Sequence, residues 1–210
     1  MAKIDMGRSR FKIQRRLGVE LPGLGKAGAL ERKPYGPGQH GMARKKMSDF
    51  TVRLVEKQKV MFNYGLRESQ MRNYVKNSKK IKTMSWVDVM IIALESRLDN
   101  VVFRLNWSTS TPGARQLVSH KHIKVNGKTV NVPGYIVKPN DVIEITDKGA
   151  KTASYLQAKV RPRISSIPAF LTKEASGEKE KAKMVAKPLA EDIPFAFEKR
   201  LVIEYYWKVK

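Results

Sequence analysis

Three runs decide the fold: Leu94-Glu95-Ser96-Arg97-Leu98-Asp99-Asn100-Val101-Val102, then Ala114-Arg115-Gln116-Leu117-Val118, then His122-Ile123-Lys124-Val125-Asn126-Gly127-Lys128-Thr129-Val130. Leu94, Leu98, Val101 and Leu105 recur at helical spacing, and Ser85-Trp86-Val87-Asp88 upstream has the S-x-x-D form that opens a helix, so a continuous helix is expected through Leu105. Thr111 before Pro112 sets a capping residue ahead of a proline at the first helical position, and Ala114, Leu117 and Val118 supply the buried side of a short helix. From Ile123 to Val130 the residues alternate around Asn126-Gly127, the dipeptide that tolerates both left-handed positions of a two-residue hairpin turn. Val142-Ile143-Glu144-Ile145, after the turn residues Pro139-Asn140-Asp141, reads as a further strand. Helices and an antiparallel sheet in one stretch place the chain in the α+β class.

Toward the N-terminus, Ser48 is placed to cap a helix that carries Phe50, Leu54 and Met61 on one side and stops at Gly65. A second helix follows from Leu66 to about Lys82, with Met71, Tyr74 and Val75 apolar and Arg67, Arg72, Lys76, Lys79 and Lys80 basic. Residues 1–46 hold most of the chain's 14 glycines and few periodic apolar positions. Such a segment buries too little apolar area to offset its own ordering entropy, so it reads as a basic extended arm shaped by a partner that supplies phosphates. Within it, Pro34-Tyr35-Gly36-Pro37-Gly38-Gln39-His40-Gly41 is a dense turn signal next to Arg44, Lys45 and Lys46, a setting that suits close backbone approach to phosphate. After the module, residues 148–167 read as an extended basic linker and 173–187 as an exposed loop or solvated helix. The β-branched and aromatic tail Leu201-Val202-Ile203-Glu204-Tyr205-Tyr206-Trp207 reads as a terminal strand or docked segment.

The charge points to a polyanion. Lys and Arg number 42 against 19 Asp and Glu, a formal net charge of +23 in 210 residues, which repels itself unless a partner neutralises it. No run approaches the ~20 apolar residues of a spanning helix, and the opening Met1 to Arg10 carries charges where a signal peptide has its apolar core. A membrane partner is therefore not expected, and a cytoplasmic place is, with an organelle-encoded copy as the variant reading. The absence of Cys excludes disulfides and thiolate metal sites, and His40, His120 and His122 are too scattered to hold a metal. No metal and no cofactor are expected. Catalytic signatures are missing as well: there is no phosphate loop of the G-x-x-x-x-G-K-[ST] form, no H-E-x-x-H and no G-x-S-x-G, and Gly23-Leu24-Gly25 is only a fragment of a dinucleotide fingerprint. No catalytic residue is assigned.

The three runs quoted above closely resemble the S-four RNA-binding module. That module also occurs in pseudouridine synthases, tyrosyl-tRNA synthetases and some rRNA methyltransferases, so alone it implies RNA binding. Pro37-Gly38-Gln39-His40-Gly41, Glu56-Lys57-Gln58-Lys59 with Tyr64-Gly65, and Val202-Ile203-Glu204-Tyr205-Tyr206 narrow the choice. With them, nearly the whole chain resembles the bacterial-type small-subunit ribosomal protein S-four family. The resemblance implies an arm over 1–46, a helical domain over 47–93 completed by 165–210, and the RNA-binding module over 94–160. It implies a structural, non-catalytic role: binding ribosomal RNA at a multi-helix junction of the 5′ domain early in assembly, near the path by which mRNA enters and near the protein S-five. A free regulator of its own mRNA or of antitermination, and an RNA-modifying enzyme docked by the module, are the rival readings. Family members with a zinc-binding cysteine cluster in the arm differ from this chain, Pro112-Gly113 replaces helix-forming residues of many members, and Gly149 to Lys187 matches poorly.

Candidate RNA contacts follow from these stretches. In the arm they are Arg8, Arg10, Arg15 and Arg16, the turn Gly38, Gln39, His40 and Gly41, and the basic triplet Arg44, Lys45 and Lys46. In the two helices they are Lys57, Lys59, Arg67, Arg72 and Lys76. In the module, Arg97 and Arg104 lie two helical turns apart with Asn100 between them and could grip successive phosphates, and Asp99 is a further candidate. Arg115, Gln116, Ser119 and His120 form the exposed side of the short helix, and Lys121, Lys124, Asn126, Gly127 and Lys128 surround the hairpin.

Overall fold

The computed structural model describes residues 9–43, 46–176 and 179–208. In chain order the elements are α1 (Arg10–Leu17), a 3-10 turn (Pro22–Leu24), α2 (Ala29–Arg32), α3 (Asp49–Asn63), α4 (Glu68–Ser78), α5 (Trp86–Glu95), α6 (Leu98–Arg104) and α7 (Thr111–Ser119). They continue with β1 (Ile123–Val125), β2 (Lys128–Thr129), β3 (Val142–Ile145), α8 (Asp147–Ala150), α9 (Ala153–Val160), β4 (Leu171–Ser176), β5 (Lys179–Met184) and α10 (Lys199–Lys208). The fold is α+β, and the chain divides into two compact units, Met1–Val87 with Pro194–Lys210, and Asp88–Ile193.

The first unit is helical. Ser48 caps α3 by accepting from the Thr51 amide, and Gly65 ends the turn at φ +61°. The tail, expected as a terminal strand or a docked segment, is docked, but as the helix α10 packed against α3. Val202, Tyr205 and Tyr206 are buried at i, i+3 and i+4, and the Tyr205 ring meets Phe50 at 5.8 Å. Arg53 donates to Glu204 at 2.8 Å and Glu56 accepts from the Glu198 amide at 2.9 Å. A helical face seated on a neighbouring helix outweighs the β preference of these side chains, which is a weak prior. The stretch read as an extended arm also departs from expectation. Over its described part it forms α1 and buries Ile13, Leu17, Leu21, Leu24 and Ala29. Side-chain bonds tie it down: Asn63 accepts from the Gly23 amide, Gln14 donates to the Lys26 carbonyl, and Glu20 accepts from the Ala29 amide.

The second unit holds one antiparallel sheet in the order β2-β1-β3-β5-β4. The register sets Lys124 opposite Thr129 and Glu144, and Glu144 opposite Lys181, so that charges share the outer face while Ile123, Ile143, Ile145, Ala182 and Met184 turn inward. Those residues close a core with Leu98, Val102, Phe103, Trp107, Leu117 and Val118. Trp107 is fully buried, and its indole N–H donates to Glu180 at 2.7 Å, which also takes Lys173 at 2.7 Å and Lys159 at 3.2 Å.

Three sequence expectations fail here. The continuous helix through Leu105 is broken at Ser96-Arg97 into α5 and α6, because the backbone there pairs with residues 133–137. Leu98 donates to the Tyr135 carbonyl, Asp99 to that of Pro133, and Val137 to that of Ser96. The linker read over 148–167 contains α8 and α9. The segment 173–187, expected as an exposed loop or solvated helix and grouped with the C-terminal helices, instead supplies most of the paired strands β4 and β5 of the sheet. Its mixed charges reflect alternation between an outer face and an inner one where Glu180 and Lys173 pair.

Candidate nucleic-acid interface

In the second unit, Ser110 caps α7 through the Gly113 amide, with Pro112 in the first turn. A Cβ at Gly113 would stand 2.5 Å from the Ser108 hydroxyl and 3.4 Å from those of Ser110 and Ser154, so a side chain there would displace the Ser108 hydroxyl beneath the helix. Ala114, Leu117 and Val118 go inward, which leaves Gln116, Ser119 and His120 exposed and Arg115 half-exposed. Lys121 follows at φ +62°, and the β1–β2 turn is made by Asn126 at φ +50° and Gly127 at φ +76°.

Asn126 is exposed, and its side chain bonds to its own chain. Its side-chain oxygen accepts from the Val142 amide at 2.9 Å and its amide donates to Asp141 at 2.8 Å, holding the hairpin to the start of β3. Gly127 and Lys128 are left exposed at the tip. Lys124 lies half-buried on the outer face, next to Glu144, whose carboxylate pairs with Lys181 at 2.9 Å. The His120 and His122 rings stand 6.1 Å apart. Burial, then His120 and Lys148, push the His122 imidazole below its ordinary value. Lys148, exposed on α8, adds a cation that sequence reading passed over, since a four-residue helix has no readable period.

Three module residues chosen from sequence do not face solvent. Arg97 and Asp99 are paired to each other, and Arg104 pairs with Glu95 at 3.0 Å and donates to the Asp192 carbonyl. All three are buried. Arg97 stands before α6 and Arg104 at its end, each in its own buried ion pair, so their seven-residue spacing does not align them on one exposed helical face.

The first unit has its own basic surfaces. Arg67, Arg72 and Lys76 lie exposed along α4, Arg72 within 3.2 Å of Glu68. Lys57 is buried against Glu68 and lies over the Tyr205 ring at 4.8 Å, and Lys59 pairs with Glu56, so neither presents a ready charge to a partner. Arg10 donates to the Leu24 carbonyl and Arg15 to those of Tyr35 and Gly36. Arg16 is exposed on α1, and Lys12, one turn earlier, shares its exposure, a basic i, i+4 pair that the sequence reading left out. Gly38, Gln39, His40 and Lys46 are exposed and Gly41 half-exposed. Arg8, Arg44 and Lys45 lie outside the described residues. Among the described residues no group of three or more His, Asp or Glu converges as a metal site, and no helix is long and apolar enough to cross a membrane.

Both halves of this arrangement have known counterparts. Residues 96–143 match the S4 domain and residues 6–94 the ribosomal protein S4/S9 N-terminal domain. The small ribosomal subunit protein uS4B of Bdellovibrio bacteriovorus is 52% identical over 197 residues, covering 94% of either chain. The protein uS4 of Caldicellulosiruptor bescii is 42% identical over 180 residues, covering 86% of this chain and 85% of its own. That of Methylobacillus flagellatus is 40% identical over 199 residues, covering 94% and 95%. The chain belongs to the uS4 family of small ribosomal subunit proteins.

Proposed function

We propose that the chain is a structural component of the small ribosomal subunit that binds its ribosomal RNA directly and has no catalytic role. The observation that carries this reading is the side of α7 continued by the β1–β2 turn, where Gln116, Ser119, His120, Lys121 and Lys128 are exposed over a packed core, in a chain of net charge +23 that belongs to this family. Cations and short polar groups on helix and hairpin suit phosphates and RNA shape better than base sequence. The basic side of α4 and the Tyr35–Gly41 loop supply further contacts from the first unit, so that several RNA helices are held by one protein. Such a clamp fits a multi-helix junction of the 5′ domain bound early in assembly, with mRNA passing nearby and S-five among the neighbouring proteins. It also fits a contribution to translational accuracy and a ribosome-bound place in the cytoplasm.

Crosslinking of the purified chain to small-subunit ribosomal RNA, with mapping of the joined residues, tests this. Crosslinks are expected at His120, Lys121 and Lys128. A map that leaves out α7 and the hairpin overturns the reading.

A further inference from the structure

Arg15 projects from α1 onto the base of the glycine-rich loop. Its Nε donates to the Tyr35 carbonyl at 2.9 Å and its Nη2 to the Gly36 carbonyl at 3.0 Å. The guanidinium also lies over the Tyr35 ring, with its carbon 5.0 Å from the centroid. One side chain thus fixes two successive carbonyls and one ring across about twenty residues of chain. The loop then closes on itself. Gly41 donates to the Gly38 carbonyl at 3.2 Å, Ala43 donates to that of His40 at 3.2 Å, and Gly38 holds φ +99°. A Cβ at Gly41 would sit 2.0 Å from the Gly36 carbonyl oxygen, so the two arms of the loop cross at a point where only glycine fits. That oxygen lies between the crossing and the Arg15 fork. Beyond the crossing, Gly38, Gln39 and His40 are exposed.

We propose that Arg15 is the positioning residue of an RNA-contacting loop, Tyr35–Gly41, whose exposed Gln39-His40 tip meets the nucleic acid while the guanidinium holds the base of the loop. The inference rests on the RNA-binding reading above and changes the part Arg15 plays in it, from phosphate contact to internal clamp. Two donors and the face of the guanidinium are committed to the protein, and only a planar fork serves both adjacent carbonyls; a lysine keeps the charge but has neither fork nor face. An ordered tip offers an amide and an imidazole to phosphate oxygens and base edges without the entropy of arresting a free loop at the moment of binding.

The test is binding of the full chain to transcribed small-subunit ribosomal RNA over a salt series, for wild type, Arg15→Lys, Arg15→Ala and the tip variant Gln39→Ala with His40→Ala. Circular dichroism confirms the fold, and hydrogen exchange of the Gly41 amide is measured in the free protein. Both Arg15 variants are expected to lose about tenfold in affinity with the salt slope of wild type, and to expose the Gly41 amide. The tip variant is expected to lose affinity while keeping that amide protected. If Arg15→Lys binds like wild type, or Arg15→Ala lowers the slope by about 0.7 to 0.9, one phosphate contact, the clamp is overturned. If Arg15 variants fail to fold, the tip variant decides, and unchanged affinity there overturns the proposal. Absence of wild-type binding defeats the RNA-binding reading as a whole, whereas wild-type binding with unaffected variants defeats this inference alone.

Discussion

Asp99 holds the guanidinium of Arg97 at both carboxylate oxygens, from Nε at 3.0 Å and from Nη2 at 2.7 Å, with both side chains buried at the break between α5 and α6. The same carboxylate accepts from the Asn100 amide and stands 3.8 Å from Arg115, so one buried charge orders both the helix start and a cation of the α7 surface. Removing one member of such a pair leaves the other's charge in the interior without its main partner. Arg97→Ala or Asp99→Ala is expected to cost about 3–5 kcal/mol. The double substitution should cost less than the sum of the two, as read from urea unfolding. Additive losses would show that the two side chains act separately.

Charge removal should separate surface cations from buried ones. Lys128→Ala is expected to weaken RNA binding severalfold and to flatten the dependence of affinity on salt by about one phosphate contact, since an exposed cation releases one counterion on binding. Arg104→Ala removes a charge paired with Glu95 and is expected to lower stability instead, with the salt slope of the folded fraction unchanged. Filter binding and thermal melts on both variants check this; a slope change in Arg104→Ala would place that guanidinium on the RNA after all.

The lowered His122 pKa has a signed consequence. Because the folded value lies below the ordinary 6.5, the folded state favours neutral imidazole. Its contribution to stability is present above 6.5 and is lost as pH falls from there through the folded value. His122→Gln should flatten that part of the pH–stability curve. Approach of RNA phosphate acts in the opposite direction, so binding near pH 6 is expected to take up protons, seen as a buffer-dependent heat in calorimetry. An equally steep loss in the variant would assign it to another group.

Asn126 combines a left-handed backbone with two side-chain bonds to the start of β3. Asn126→Gly keeps the backbone freedom and loses the bonds, at an expected cost of about 1–2 kcal/mol. Asn126→Ala loses both, and should cost roughly 1 kcal/mol more. Thermal melts that rank the two variants the other way round would refute this division of labour.

Elements whose instructions are local were legible in sequence. The proline-led start of α7, the Asn126-Gly127 hairpin and the Ser48 cap depend on backbone preferences of a few adjacent residues, and each stands where the pattern places it. The exposed side of α7 was legible for the same reason, since Ala114, Leu117 and Val118 mark the opposite side. Family motifs carried the RNA-binding role, because they quote a whole surface at once. The break at Arg97 was illegible, for the apolar spacing from Leu94 to Leu105 is that of an unbroken helix and the strand-like segment that interrupts it arrives from residues 133–137.

Composition and short-range pattern were therefore enough for the α+β class, the polyanion partner and the hairpin module. Tertiary packing alone decided which cations remain for that partner. Lys57, Arg97 and Arg104 look like surface charges in the chain. Each lies inside because a carboxylate and a second neighbour close over it: Glu68 and the Tyr205 ring for Lys57, Asp99 and the 133–137 segment for Arg97, Glu95 and the Asp192 carbonyl for Arg104. It also decided the tail, where packing against α3 holds β-branched and aromatic residues in a helix. A side chain's neighbours in space set its desolvation and its pairing, and those neighbours are brought together only by the folded chain.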